Sequence, residues 1–368
     1  MSLVSVKIED VCMVGDGAHA SIKRVSEGVP YLTSKNFKIG GLDLSKLDYI
    51  SKEDYYKHFN GKSKAITKPI FNDIMLSIIG SIGSPHLVKN NDEFGLSSSV
   101  SILRPNEDKI LPAFLYYWLK SEFFQQSIQQ IKSGVAQSFL SLGMIKSLPV
   151  DYFESLQTQK RIADILSAYD DLIENNLKRI KLLEQAAQNI YKEWFVNMRF
   201  PGYENTPVNE ETGLPEGWEE KVLSDFIEFK NGKSLKDKEL SKTYIVYGSN
   251  GIIGKSSVFN REDAIIIGRV GAYCGSINYC KKKFWATDNT ITAKAISSNS
   301  TNVFCKLLLK NLNLRRFAGG AAQPLLTQRT ITGLTVPLPS FILIKKFTLT
   351  ADLIKKQSDN LSNLNHSL

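Results

Sequence analysis

The chain has 368 residues, 42% hydrophobic and 23% charged, which is the composition of folded globular protein and enough length for two or three domains. Its first stretch, MSLVSVKIEDV, carries charges where a signal peptide needs an apolar core, and no apolar run approaches the roughly 18 residues of a membrane span, so a cytoplasmic protein without membrane contact is expected. The net charge of +9 is unevenly spread: residues 216–335 hold 18 Lys and Arg against 10 Asp and Glu, while residues 151–215 hold 7 against 11, so a polyanion is expected at the flanking parts and not at the acidic middle.

Residues 1–150 form a first body. Its run Ile74-Met-Leu-Ser77, short, apolar and bounded by Asp and Gly, reads as a buried strand, and residues 111–131 read as a helix. Cys12, Cys274, Cys280 and Cys305 contain no CxxC pair, and His19, His58, His86 and His366 are scattered, so neither metal nor disulfide is expected.

From Ser155 to Arg199 apolar residues recur every three or four positions, through Ile162, Ile165, Tyr169, Leu172, Ile180, Leu183, Ile190 and Trp194. No Pro or Gly interrupts the run, and Phe200-Pro201-Gly202 closes it. At about 1.5 Å per residue such a helix is roughly 65 Å long, too long for one small domain. It reads as a rod, residues 151–202, leading to a second body, 203–338, and a second helical stretch, 339–368. Its seam is expected to pack against a partner helix; the plainer reading is a coiled coil with no specific role.

An internal repeat organises the two bodies. Gly134, Ala136, Gln137, Leu140, Ile145, Leu148 and Val150 match Gly320, Ala322, Gln323, Leu326, Ile331, Leu334 and Val336, each pair 186 residues apart. Asp10 and Gly17 match Asp225 and Gly232 at an offset of 215. Between these ends, Tyr31 to Asn36 aligns with Ile245 to Asn250, and Asp73 with Asp263, followed by Gly80 and Gly83 against Gly271 and Gly275. Residues 263–267 then read as a strand and 301–317 as a helix, giving mixed strands and helices in each body.

The Gly-x-Ala-Gln stretch is followed by Leu148-Pro-Val150, by Gln159-Lys-Arg-Ile162-Ala-x-Ile-Leu running on to Lys192-x-Trp-Phe195, by Thr212-Gly-Leu-Pro-x-Gly-Trp218 and by Tyr247-Gly-Ser-Asn-Gly-Ile-Ile-Gly254. In this combination and over nearly its whole length the chain resembles the DNA specificity subunit of type I restriction-modification systems. The resemblance implies an α/β (α+β) fold of two similar target-recognition domains separated by long antiparallel helices. Each domain would read half of a split, asymmetric double-stranded DNA site, while the helices set the spacing and dock methyltransferase subunits, two of them, beside a restriction and translocase subunit. AdoMet, ATP and Mg²⁺ are then expected on the partner subunits and no cofactor in this chain. The second helical stretch departs from the pattern: it is shorter than the first and has no counterpart of Gln159-Lys-Arg-Ile162.

Candidate DNA contacts follow from charge and turn chemistry. Arg315 and Arg316 lead into a Gly-rich turn with Gly320, Gln323 and Arg329, and the first-copy set is Lys132, Ser133, Gly134, Gln137 and Ser138; both sets are assigned to phosphate positioning, with packing of the rod's base as the alternative. Residues 249–256 approach a phosphate-loop pattern, but Ser249 stands where Gly is needed, so Asn250-Gly251 reads as a tight turn with Lys255 open to a phosphate; Lys35 and Asn36 are the matched first-copy residues. Lys281, Lys282 and Lys283 read either as a soluble hairpin tip or as a DNA contact. The first body also carries an insert at about residues 41–66, with Tyr55, Tyr56, Lys57, His58, Lys62 and Lys64 around an Asn60-Gly61 turn, either capping the domain or lying against DNA through Lys62 and Lys64. No Asp-Pro-Pro-Tyr or Asn-Pro-Pro-Tyr strand end and no carboxylate cluster with Lys is present, so a non-catalytic DNA-binding subunit is expected. A stand-alone endonuclease or methyltransferase with an unrecognised active site is the alternative, and a coiled-coil scaffold the third reading.

Overall fold

The computed structural model describes the chain except residues 1, 39–40, 62–64, 90–91, 134–138, 236–242, 297, 299 and 321–322, and the side chains of 132 and 133. The chain divides into two compact units, Met1–Leu172 and Ile173–Leu368, and the division falls inside the 40-residue helix Leu156–Phe195, which is about 60 Å long.

In the first unit, Ile74–Ser77 is buried along its length because it lies inside a four-stranded sheet ordered Cys12–Asp16, Val100–Pro105, Ile74–Ser77 and Pro85–Leu87. Asp73, at the mouth of that strand, is buried and neutralised by a bidentate Arg104, whose Nε and Nη2 donate to its two carboxylate oxygens at 2.8 and 2.7 Å. Residues 111–131 form two helices, not one. Ser121 turns to an extended conformation, ending Pro112–Lys120, and its Oγ accepts from Phe124 N at 3.3 Å to start Glu122–Ser133.

The second unit carries a six-stranded sheet ordered Ile227–Asn231, Thr290–Ala295, Arg261–Gly268, Ile277–Ala286, Tyr244–Gly248 and Gly251–Ser256. The helix expected over 301–317 stops as Asn302–Asn311, because Asn313 adopts a left-handed φ of 48° and the chain resumes as the 3-10 turn Leu314–Phe317. Each body is closed by its own ends: Leu3–Lys7 pairs with Pro149–Phe153, and Glu219–Val222 with Thr335–Leu338.

The repeat is reproduced in backbone hydrogen bonds. Gly17 N to Val100 O corresponds to Gly232 N to Thr290 O, Ile78 N to Ser99 O to Arg269 N to Asn289 O, and Leu140 N to Ile78 O to Leu326 N to Arg269 O, all between 2.9 and 3.1 Å. Ser97 N bonds Leu32 O as Thr287 N bonds Tyr247 O. These bonds correct the alignment by one residue, since Leu32 stands with Tyr247 and so Lys35, not Asn36, stands with Asn250. Asp73 likewise is not the partner of Asp263: the shared left-handed corner is held by Asn72 and Asp263, with φ of 72° and 47°.

The insert is partly core. Its strand Asp48–Ile50 pairs with Val29–Leu32 in a separate three-stranded sheet, and its helix Lys52–His58, capped by Ser51, buries Tyr55 with the following Phe59. Tyr55 is therefore a packing residue.

Both helical stretches start alike, with Ser155 Oγ accepting from Thr158 N and Ser340 Oγ from Leu343 N. One turn on, they differ. Gln159 is fully buried in the first unit, its Oε1 accepting from Leu111 N at 2.7 Å while its Nε2 donates to Lys109 O and Phe153 O at 2.8 and 2.7 Å. At the matching step of Phe341–Ser367 stands Ile344, buried among apolar side chains of the second unit.

Within the second unit the two helices run antiparallel. Asn176 Nδ2 donates to Asn365 Oδ1 at 2.8 Å, and at the other end Tyr191, Trp194 and Phe195 surround Phe347 with ring centroids 5.9, 5.9 and 5.1 Å away. Ile180, Leu183, Ile190 and Trp194 are half-buried there, and Ile162 packs against the core of the first unit. The seam expected through Ile165, Tyr169 and Leu172 is corrected: these are 60%, 48% and 41% exposed, whereas the pairing within the second unit begins at Ile173 and Asn176, which Asn365 bonds.

Candidate nucleic-acid interface

In the second unit four turns gather at one end of the six-stranded sheet. The turn at Ser249-Asn250 joins Tyr244–Gly248 to Gly251–Ser256, and Gly251 takes the left-handed φ of 85° that this hairpin requires. A strand follows it, not the helix of a phosphate loop, so the turn reading holds. Ser249 Oγ accepts from Arg269 N and Val270 N at 3.2 and 3.1 Å and donates to Asn289 O at 2.7 Å, tying three turns together. The fourth, running from Arg315 to Leu325, is joined by a bridge between Val270 and Leu325, by Gly271 N to Pro324 O at 3.0 Å and by Arg315 Nη1 to Ala272 O at 3.1 Å.

This scaffold carries several of the expected contacts. Asn250, Arg315, Arg316 and Gln323 are exposed on it, and Gly320, with φ of 89°, makes the bend between them. Exposed Arg329 lies just beyond, on the short helix Gln328–Thr332, which Gln328 anchors by donating to Phe229 O at 2.9 Å. Lys255 is exposed further along the edge strand.

Lys281, Lys282 and Lys283 do not form a hairpin tip. They lie inside the ten-residue strand Ile277–Ala286, where Lys281 and Lys282 together face the single residue Asp263 in a β-bulge. All three are exposed, and Lys283 Nζ sits 4.6 Å from the Phe259 ring.

In the first unit Lys35 is exposed on the turn Ser34–Asn36. Asn36 is buried, and its amide is engaged by this chain: Oδ1 accepts from Thr33 N, and Nδ2 donates to Asp43 O and Lys46 O. It is a loop-closing residue and not a DNA contact, because the side chain is buried and both of its donor hydrogens are used within the chain. Lys62, Lys64, Gly134, Gln137 and Ser138 lie outside the described residues, as do the side chains of Lys132 and Ser133. Phe139 bridges Ile79 as Leu325 bridges Val270, at the same point of the frame in both copies.

Burial pushes the thiols of Cys12 and Cys305 up to about 12, for Cys12 with added repulsion from Asp73, so both are protonated and inert as nucleophiles. No group of three His, Cys, Asp or Glu able to hold a metal occurs among the described residues. No helix among them is long and apolar enough to cross a membrane. The residue that sequence reasoning passed over is Arg269, a cation directly following the buried run 264–268 of the strand Arg261–Gly268, where its backbone bonds three of the turns.

Two copies of one backbone frame presenting different loops define a duplicated recognition protein. The family of type I restriction modification DNA specificity domains matches residues 3–185 and 215–356, and the chain belongs to it. It is 26% identical over 377 aligned positions to the putative type I restriction enzyme MjaX specificity subunit of Methanocaldococcus jannaschii, covering 93% of this chain and 85% of that protein. To the type I restriction enzyme MjaIX specificity subunit of the same organism it is 28% identical over 242 positions, 64% of this chain and 54% of that subunit, so it spans about half of that relative's length. The crystal structure of the type I restriction-modification S subunit from M. genitalium shares the fold, with a TM-score of 0.53 at 18% identity over 100% of this chain and 94% of that one.

Proposed function

We propose that the chain is the non-catalytic DNA-reading subunit of a cytoplasmic type I restriction-modification complex, each of its two recognition bodies reading one half of an asymmetric, bipartite double-stranded site. The observation that carries this reading is the repeat itself: shared backbone bonds hold two frames alike, while the side chains on their loops differ. The exposed cations Lys35, Lys255, Lys281, Lys282, Lys283, Arg315, Arg316 and Arg329 are suited to phosphates, which position a reader without specifying sequence. Lys62, Lys64, Lys132, Ser133, Gly134, Gln137 and Ser138 remain the first-body candidates. The helix Leu156–Phe195 sets the spacer, and its exposed Ile165, Tyr169 and Leu172 are a docking face for methyltransferase subunits, two in the complete complex beside a restriction subunit. AdoMet, ATP and Mg²⁺ enter with those partners. The test is a map of modified adenines in cells that express this chain with its methyltransferase. Two short half-sites at one fixed separation are expected; a single continuous site, or methyl transfer by this chain alone, overturns the reading.

A further inference from the structure

We propose that Arg269 is a specificity-determining residue of the second body, its guanidinium reading a guanine edge in that body's half-site; this rests on the DNA-reading function above. Its backbone is held from every side: N donates to Asn289 O at 3.0 Å and to Ser249 Oγ at 3.2 Å, and O accepts from Leu326 N at 2.9 Å and from Cys274 Sγ at 3.2 Å. The side chain therefore issues from a fixed point among the turns that carry Asn250, Arg315 and Gln323.

The other arginines of the two sheets are satisfied within the chain. Arg104 grips Asp73, and Arg261 donates to Thr292 Oγ1, Asn260 O and Asn231 O. Arg269 differs. Its Nε is sealed from solvent with no acceptor, and no hydrogen bond or ion pair of its guanidinium occurs among the described residues. That sealed Nε is out of reach of DNA, but Nη1 and Nη2 of this half-exposed side chain have no partner among the described residues and can take acceptors from outside the fold.

The repeat indicates which acceptor. The equivalent first-body residue is Ile78, whose N bonds Ser99 O and whose O accepts from Leu140 N in the same frame, yet it is a core side chain. A phosphate clamp serves any duplex and belongs in both copies; a base reader changes with the half-site, and Arg paired to guanine O6 and N7 is the commonest specific contact.

The experiment uses the full chain assembled with its methyltransferase, as wild type, Arg269→Met and Arg269→Lys. The modified-site map of Arg269→Met should relax at one base pair of one half-site, with discrimination there falling about 10- to 100-fold. The other half and the spacer should be unchanged, and thermal stability not lowered, since no partner within the chain is lost. Arg269→Lys should recover part of the discrimination. An unchanged map, equal weakening on every sequence, or loss of both halves with a lowered melting temperature each overturns the assignment. A wild-type complex that modifies no bipartite site fails the underlying function instead, before any variant is compared.

Discussion

Gln159 shows how one side chain can explain a motif. In the sequence it is a polar residue near the start of an amphipathic helix; in the fold its buried amide bonds the N–H of Leu111, which caps the helix Pro112–Lys120, and the carbonyls of Lys109 and Phe153. Replacing it with Leu keeps the volume and strands all three groups, so Gln159→Leu should destabilise the first unit by about 2–4 kcal/mol, taking about 1–3 kcal/mol for each buried group left unpaired and allowing for partial relaxation. Urea unfolding followed by Trp118 fluorescence, with the other tryptophans replaced, measures it; a change under about 0.5 kcal/mol would mean that the amide is dispensable. Asn36 obeys the same rule in the opposite direction: a residue type suited to base contacts is withdrawn from that role once its amide is bonded inside the chain.

Among elements, the long helix is legible because periodicity needs no tertiary knowledge, and its observed span, Leu156–Phe195, follows the apolar pattern closely. Which parts of the stripe face a partner is not legible. Ile180 and Leu183 are half-buried, while Ile165 is exposed, although all three obey the same spacing. Ile165→Asp should therefore leave the melting temperature of the isolated chain within about 1 °C, as expected of a surface substitution, while abolishing co-purification of the methyltransferase subunit. Retained assembly would remove this face from the docking surface. Short-range exceptions escaped the pattern as well: Ser121 breaks a helix whose apolar spacing continues across it, and the bulge opposite Asp263 turns a lysine run that looks like a tip into the middle of a strand.

For the whole molecule, the prediction concerns spacing. Four residues of helical sequence inserted between Leu172 and Ile173 lie ahead of the paired region of the second unit, so they leave its packing intact while adding roughly 6 Å and a rotation of about 40°. The modified-site map should keep both half-sites and lengthen the spacer by one or two base pairs, at about 3.4 Å each. Altered half-site bases at an unchanged spacer would show that the helix does not set the distance.

Family, duplication, the two-body plan and the long helix were determined by the sequence alone, because they rest on offsets, spacing and local chemistry that survive without coordinates. Only the tertiary structure decided the one-residue correction that pairs Lys35 with Asn250, the burial of Asn36 and Tyr55, the exposure of Ile165 and the isolation of Arg269. Each of these depends on what lies beside a residue from a distant part of the chain. A polar side chain has the same composition and spacing whether its hydrogen bonds are made inside the fold or left for DNA.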